Sequence, residues 1–489
     1  MSARVIMVAL SAALAGCAAG QTGGAGLEVG RAAPFGHDRE PVRFSRPDAA
    51  ADAPSTDVVM LGDDAAASDE RAAATAEPYA PELRDPTRDE ATGEGASGDD
   101  PAAGAVVNFE DSTRAMDAVY ATIAAVGRRA QGQRFTVVQL GDSHTESDEF
   151  SRRLRRRIAQ QWGSGGRGFV PVAGGQRDVR RTMSGPWVIE RAPLREATGA
   201  YGMGLARATG RSPRAVLTVE PCVQCATASV SRFELLFRRQ DGGGSLEYRV
   251  DQQPWQRVST QSVAGQSAAQ SVRVSVADGA HSFSVRPAGD GPVEVYGVAL
   301  DRESGASLES AGTIGAQASH LEAADWTVLG PQLTARAPTM VVLWYGTNES
   351  ASSRLDPARF ERALGALVTR VRAAVPTAVV LLLGPPDLAL RTADGTRAQP
   401  AQLPRMVDAA RRAARSSGAV FYDLLAAMGG GGTIQRWVEQ TPPLAWRDHT
   451  HYTPAGYNVL ADTLFDALVR GHEAWTRRSA RTTTGRSAR

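Results

Sequence analysis

The sequence predicts an α/β fold, with a parallel sheet covered by helices on both faces and an all-β module inserted into it. Three observations carry this reading. Short, continuously apolar runs ending in turn residues alternate with amphipathic stretches, once near Val107 and again from Thr339 onward. A strand buried on both faces has no polar side, so it reads as an unbroken apolar run. From about Val172 to Asp301 that rhythm gives way to short alternating strands divided by Gly-rich turns, the pattern of a β-sandwich.

In chain order, Met1 to Arg4 precede an apolar run from Val5 to Leu14 and then Ala15-Gly16-Cys17. One positive charge, a short apolar region and small residues at its end predict a secretory signal peptide rather than a membrane span. Leu14-Ala15-Gly16-Cys17 resembles a bacterial lipobox, which implies cleavage before Cys17 and lipidation of its thiol. The expected product is an extracytoplasmic lipoprotein held to a membrane through Cys17. Ala18 and Ala19 follow without the Asp associated with inner-membrane retention, which implies the outer membrane, facing the periplasm, in a Gram-negative cell. Residues 17–106 read as a disordered Ala/Gly/Pro/acidic linker. Between Ala18 and Asp100, 18 acidic residues stand against 7 arginines without hydrophobic periodicity. Such a segment cannot bury enough apolar surface to offset its ordering entropy.

The ordered pattern begins near Val107. Met116, Val119, Tyr120, Ile123 and Val126 have helical spacing within Asp111 to Arg129, and Arg134 to Leu140 reads as a strand. Gly141-Asp142-Ser143-His144 follows, then a helical stretch to Ile158. Five alternating strands are expected in the insert: Phe233–Phe237, Leu246–Val250, Val272–Val276, His281–Val285 and Val293–Val298. The α/β rhythm then resumes with strands at Thr339–Tyr345, Ala378–Leu383 and Ala419–Leu424, and helices at Asp356–Ala374, Arg405–Ser416 and Pro454–Arg470. The predicted organisation is therefore a signal peptide over 1–16, the linker, a first α/β part over 107–171, the sandwich over 172–300, a second α/β part over 301–475, and a disordered Arg-rich tail over 476–489.

Composition removes several chemistries. All 54 basic residues are arginine, so there is no lysine for a phosphate-binding P-loop or a pyridoxal Schiff base. Three cysteines cannot build a four-thiolate metal site. A formal net charge of +1 lacks the electrostatic footprint of a nucleic-acid binder.

Four dispersed fragments carry the chemistry. Gly141-Asp142-Ser143-His144 lies between a strand and a helix, where a Ser can present its hydroxyl at the carboxyl end of the sheet. Gly312-Thr313-Ile314-Gly315-Ala316 precedes another helix, and glycine there lets backbone approach a reacting oxygen closely. Gly346-Thr347-Asn348-Glu349 ends a strand, where a side-chain amide makes a good electrophilic donor. In Asp448-His449-Thr450-His451 the carboxylate can orient one ring nitrogen of a His while the other faces a nucleophile. No third His or carboxylate stands nearby at ligand spacing, so neither a metal nor another cofactor is expected.

Together the fragments resemble the SGNH/GDSL hydrolase family, whose four blocks occur here in order over residues 107–170 and 301–472. The resemblance implies a flavodoxin-like parallel sheet. It also implies a catalytic set of Ser143 as nucleophile, His451 as base and Asp448 as its orienting carboxylate. The implied oxyanion hole consists of the Ser143 and Gly315 backbone N–H groups and the Asn348 side chain, with Gly312 as the rival to Gly315. Glu349 departs from the more usual Asp. Gly165-Gly166-Arg167-Gly168-Phe169 and Gly384-Pro385-Pro386-Asp387 are further similar to the peptidoglycan O-acetylesterase branch, which carries a carbohydrate-binding-like sandwich between the first two blocks.

Within the insert, Trp187, Tyr248 and Trp255 are candidates either for sugar stacking or for core packing. Cys222 and Cys225 are expected to form a local disulfide in an oxidising compartment. His144 reads either as a structural histidine or as a pocket residue, and Arg152 to Arg157 as a solvated helix face, with attraction of an anionic cell-wall polymer as the lesser reading. The functional expectation is a serine esterase that removes O-acetyl groups from an envelope polysaccharide, peptidoglycan foremost. An O-acetyltransferase with the same triad and a non-catalytic glycan-binding scaffold are the alternatives.

Overall fold

The computed structural model describes residues 56–60, 106–194, 199–263, 267–352 and 354–487, all within the compact unit Asp48–Arg489. The expected signal peptide, Cys17 and most of the expected linker lie outside the described residues.

Five parallel strands form the central sheet: β1 (Arg134–Gly141), β2 (Gly305–Gly312), β3 (Met340–Trp344), β4 (Val379–Leu383) and β5 (Val420–Tyr422). Their spatial order is β2-β1-β3-β4-β5, the flavodoxin-like order, in which the strand sequence reverses between β1 and β3. The apolar runs are explained by side-chain parity. Val138, Leu140, Val341, Leu343, Val380 and Leu382 face one core, where they meet the helices Trp326–Arg336, Pro357–Ala374 and Leu403–Ser417. Phe135, Val137, Met340, Val342, Trp344, Leu381 and Leu383 face the other, against Met116–Gly127, Glu149–Trp162 and the helix beginning at Pro454. Asp356 caps the helix Pro357–Ala374, accepting from the Ala358 N–H at 3.1 Å.

The middle of the chain forms two antiparallel sheets. One joins Ala268–Gly279, Val230–Arg239, Val293–Asp301, Ala206–Gly210 and Val188–Arg191, with Gly166–Pro171 also paired to Val293–Asp301. The other joins Gln256–Ser259, Ser245–Val250, Phe283–Pro287, Val216–Pro221 and Val179–Ser184. Their inner faces share a core in which Phe233 and Phe283 stack with ring centroids 5.1 Å apart.

Four expectations change. The sandwich pairing begins at Gly166 rather than at 172, because the Gly-Arg-Gly-Phe segment extends the first sheet. Strand β2 escapes sequence reading because Gly-Ala-Ser-Leu-Glu-Ser-Ala-Gly has no β-branched or aromatic residue. Its terminal glycines are required by close approach: a Cβ on Gly305 would stand 2.4 Å from the Ser164 carbonyl oxygen. Thr56–Met60, inside the expected linker, is a strand pairing antiparallel with Ala268–Gly279; Thr-Asp-Val-Val-Met is a short β-prone run meeting an open sheet edge. The tail expected to be disordered continues the last helix to Ser487. Nothing between Arg477 and Ser487 is a proline, and Arg478 pairs with Asp117 at 2.9 Å.

The insert and the parallel sheet are tied by a buried ionic cluster. Arg336, on the helix Trp326–Arg336, pairs with Glu309 of β2 at 2.9 Å, Asp301 at 2.8 Å and Glu234 of the sandwich at 2.5 Å. Arg134, Arg232 and Arg273 complete the charge balance around Asp301 and Glu234.

Candidate active site

The site stands at the carboxyl ends of β1 and β3, where the strand order reverses. β1 ends at Gly141, where a Cβ would meet the Trp344 carbonyl oxygen at 2.6 Å, so only glycine lets the ends of β1 and β3 close together. Asp142 caps the short helix Ser143–Glu146, its carboxylate accepting from the His144 N–H at 3.0 Å. Burial pushes the Asp142 carboxyl up to about 7. Ser143 thus sits at the first position of a helix, where its own N–H needs no helical partner.

The turn is held from behind by Asp148, which is fully buried and has a left-handed backbone (φ 59°). Its carboxylate accepts from Arg155 (2.7 Å), Arg167 (2.8 Å), Ser310 of β2 (2.6 Å) and the Arg177 N–H (2.7 Å). These donors outweigh its burial and keep the carboxyl below its ordinary value. The arginine run is therefore not a solvated face. Arg155 is wholly buried, Arg156 pairs with Asp178 at 2.8 Å, and Arg153 and Arg157 both reach Asp462 on the last helix at 2.8 Å. Carboxylates 7 to 309 residues away along the chain turned a charge run into a brace.

Ser143 Oγ lies 2.9 Å from His451 Nε2, and His451 Nδ1 lies 2.8 Å from Asp448 Oδ2. The other Asp448 oxygen accepts the backbone N–H groups of Thr450 (2.9 Å) and His451 (3.0 Å), so the tight loop fixes the carboxylate against the ring. Burial raises the Asp448 carboxyl, but His451 and these backbone donors prevail and hold it at about 2. Burial lowers the His451 imidazole, yet the hydrogen bond and charge of Asp448, with the charge of Asp142, leave it above the usual value. Such a chain can take a proton from a serine hydroxyl and stabilise the resulting imidazolium.

His144 is structural. It is fully buried, its Nδ1 lies 2.8 Å from the Tyr457 hydroxyl, and it stacks on Trp344 with centroids 5.1 Å apart and the planes inclined by 17°. Its ring also backs that of His451, at 5.3 Å. Burial takes its pKa well below the free value, keeping it neutral.

The Gly312 to Ala316 segment runs between the other blocks. The Thr313 N–H donates to Gly141 O at 3.1 Å, and Ala316 O accepts from Asn348 Nδ2 at 2.8 Å. Glu349 is a strut for both: its carboxylate accepts the Ala318 N–H at 2.8 Å and the Gly346 N–H at 3.0 Å, and burial pushes it up to about 7. Sequence reading noted Glu349 only as a departure; its role depends on Ala318, 31 residues away. Gly312 is buried beneath the Ser143 helix, whereas Gly315 is exposed with φ 74°. Among the described residues, the Ser143 N–H, the Gly315 N–H and the second Asn348 amide hydrogen have no internal acceptor. They are free to meet an anionic oxygen.

The aromatic candidates of the insert are packed. Tyr248 is in the sandwich core, Trp187 stands 2.8 Å from where a Gly210 Cβ would be, and the Trp255 ring is covered by the guanidinium groups of Arg286 (4.1 Å) and Arg249 (4.5 Å). Cys222 and Cys225 are joined as a disulfide with Cα atoms 5.3 Å apart.

The GDSL-like lipase/acylhydrolase family model matches residues 269–459, a span that holds Gly315, Asn348, Asp448 and His451. Over that span the chain matches the GDSL acylhydrolase family. Ser143 lies outside the matched span and joins the domain through its 2.9 Å contact with His451. The domain is that of a carboxylic ester hydrolase. No curated protein sequence matches the chain. A solved structure of a peptidoglycan O-acetylesterase is 24% identical, covering 75% of this chain and 99% of its own, with a TM-score of 0.63; the two share the SGNH hydrolase fold. A family two carbohydrate esterase from Cellvibrio japonicus is 11% identical, covering 61% of this chain and 99% of its own at a TM-score of 0.25. An acetyl xylan esterase is 20% identical, covering 33% and 81% at 0.26.

Proposed function

We propose that the protein is a lipid-anchored serine esterase that removes acetyl groups from hydroxyls of a cell-envelope polysaccharide, peptidoglycan foremost. The observation that supports it most directly is the hydrogen-bonded chain Ser143–His451–Asp448 beside three unspent donors. In this reading Ser143 Oγ attacks the acetyl carbonyl carbon while His451 Nε2 accepts the hydroxyl proton. The carbonyl oxygen becomes an oxyanion that receives the Ser143 and Gly315 N–H groups and the Asn348 amide. His451 then returns its proton to the departing sugar hydroxyl, leaving acetyl-Ser143. Water, deprotonated by His451, attacks that ester; acetate leaves and Ser143 recovers its proton. Asp448 stays ionised throughout, accepting from Nδ1 and offsetting the imidazolium charge. The glycan reading is also favoured by the sandwich bordering the site: Arg191 pairs with Glu146 of the Ser143 helix at 3.2 Å.

Acetate release from O-acetylated peptidoglycan by the wild type and by Ser143→Ala tests the proposal. Release is expected from the former alone. Release from a different acetylated glycan only would replace the substrate and keep the mechanism. The anchor is tested by fractionation: Cys17→Ser is expected to move the protein out of the membrane pellet, and an unchanged pellet would refute it.

A further inference from the structure

The chain has eight tryptophans, all among the described residues. Trp162, Trp344 and Trp437 are buried, and Trp187, Trp255, Trp326 and Trp475 are half-buried. Trp446 alone is open, with 52% of its surface exposed. It stands in the loop that carries Asp448 and His451. That loop is rigidly held. The Trp446 N–H donates to His451 O at 2.9 Å, and Trp446 O accepts the His449 N–H at 2.9 Å. Arg397, on the small hairpin formed by Leu390–Arg391 and Arg397–Ala398, donates to the carbonyls of Asp448 (2.8 Å) and Arg447 (3.5 Å). The backbone that carries the exposed indole is thus pinned on both sides, so covering the ring costs no ordering of the loop.

A second exposed apolar side chain lies on the segment that carries Gly315. Ile314, 51% exposed, directly precedes Gly315, and Leu194 Cδ1 would lie 3.7 Å from a Cβ on Gly315. Apolar surface is thus presented by the histidine loop and by the oxyanion loop, not only by the sandwich. A pyranose ring has a face of C–H groups, and an indole offers a matching flat, polarisable surface. We infer that Trp446 is a stacking platform for a pyranose ring of the substrate, with Ile314 supplying apolar contact from the Gly315 loop. The platform would hold the sugar whose acetyl group reaches Ser143, so saccharide recognition begins on the hydrolase domain itself. This rests on the glycan reading of the substrate.

The test compares kcat and KM for acetate release from O-acetylated peptidoglycan with those for 4-nitrophenyl acetate, which has no pyranose, in wild type, Trp446→Ala and Trp446→Phe. Trp446→Ala is expected to lower the glycan-to-ester ratio of kcat/KM about 3- to 10-fold, mainly through KM, with Trp446→Phe recovering most of it. An unchanged ratio in Trp446→Ala, with the wild type active on glycan, overturns the platform and leaves the proposed function intact. Equal losses on both substrates also overturn it, because the residue would then serve only the loop. A wild type that cleaves 4-nitrophenyl acetate but no acetylated glycan removes the substrate reading and the platform together.

Discussion

His451 and Asp448 determine how the site responds to pH. Asp448, held at about 2, stays ionised over the working range, so the acidic limb belongs to His451 together with the buried Asp142 and Glu349 carboxyls, which also titrate at about 7. The base must be neutral to accept the Ser143 proton. With its pKa raised by Asp448 and Asp142 above the free imidazole value near 6.5, kcat/KM is expected to rise with pH through a midpoint above that value. Asp448→Asn removes a charge that favours the imidazolium, so the limb should move to lower pH while kcat falls by about 10⁴, the size of effect seen when a triad carboxylate elsewhere is made an amide. A limb that stays in place in the variant would show that Asp448 does not set it. Ser143, Asn348, Asp448 and His451 are legible in the sequence as candidates because each stands in a short local motif. Asp142, Asp148 and Glu349 are not, since their partners come from other blocks and only folding brings them together.

At the scale of elements, the two candidate glycines separate by what surrounds them. Gly312 ends β2 beneath the Ser143 helix, and a Cβ there would stand 2.3 Å from the Glu146 nitrogen and 2.6 Å from the Asp142 carbonyl oxygen. Those are backbone atoms, so the helix must move, and a displacement near 1 Å costs about 10²-fold in rate. Gly312→Ala is expected to lose at least that much kcat. Gly315→Ala meets only the Leu194 side chain, at an ordinary contact distance of 3.7 Å, keeps its N–H and bears the strain of φ 74°, about 1–2 kcal/mol; its loss should stay within about tenfold. Parallel kinetics on the two variants check this, and the reverse order would transfer the donor role to Gly312. The same crowding explains why β2 was invisible in the sequence. Its small residues answer neighbours packed against it, whereas β1, β3 and β4 advertise burial on two faces through unbroken apolar runs.

Across the whole molecule, the sandwich and the parallel sheet meet at Arg336, whose guanidinium faces three carboxylates in the interior. Removing one partner of a buried ionic group strands the others, at a cost of about 3–5 kcal/mol. Arg336→Ala should lower unfolding free energy by that amount in urea titrations, and a change under 1 kcal/mol would show that the cluster is dispensable. The sequence by itself determined the α/β class, the interruption by alternating strands and the candidate residues of the site, because periodicity and strand-end motifs are local properties. Only the tertiary structure decided that the arginine run is a brace, that His144 and the sandwich aromatics are packed, and that Trp446 is the tryptophan left open. Burial and ion pairing are relations between residues far apart in the chain, and no window of sequence contains both partners.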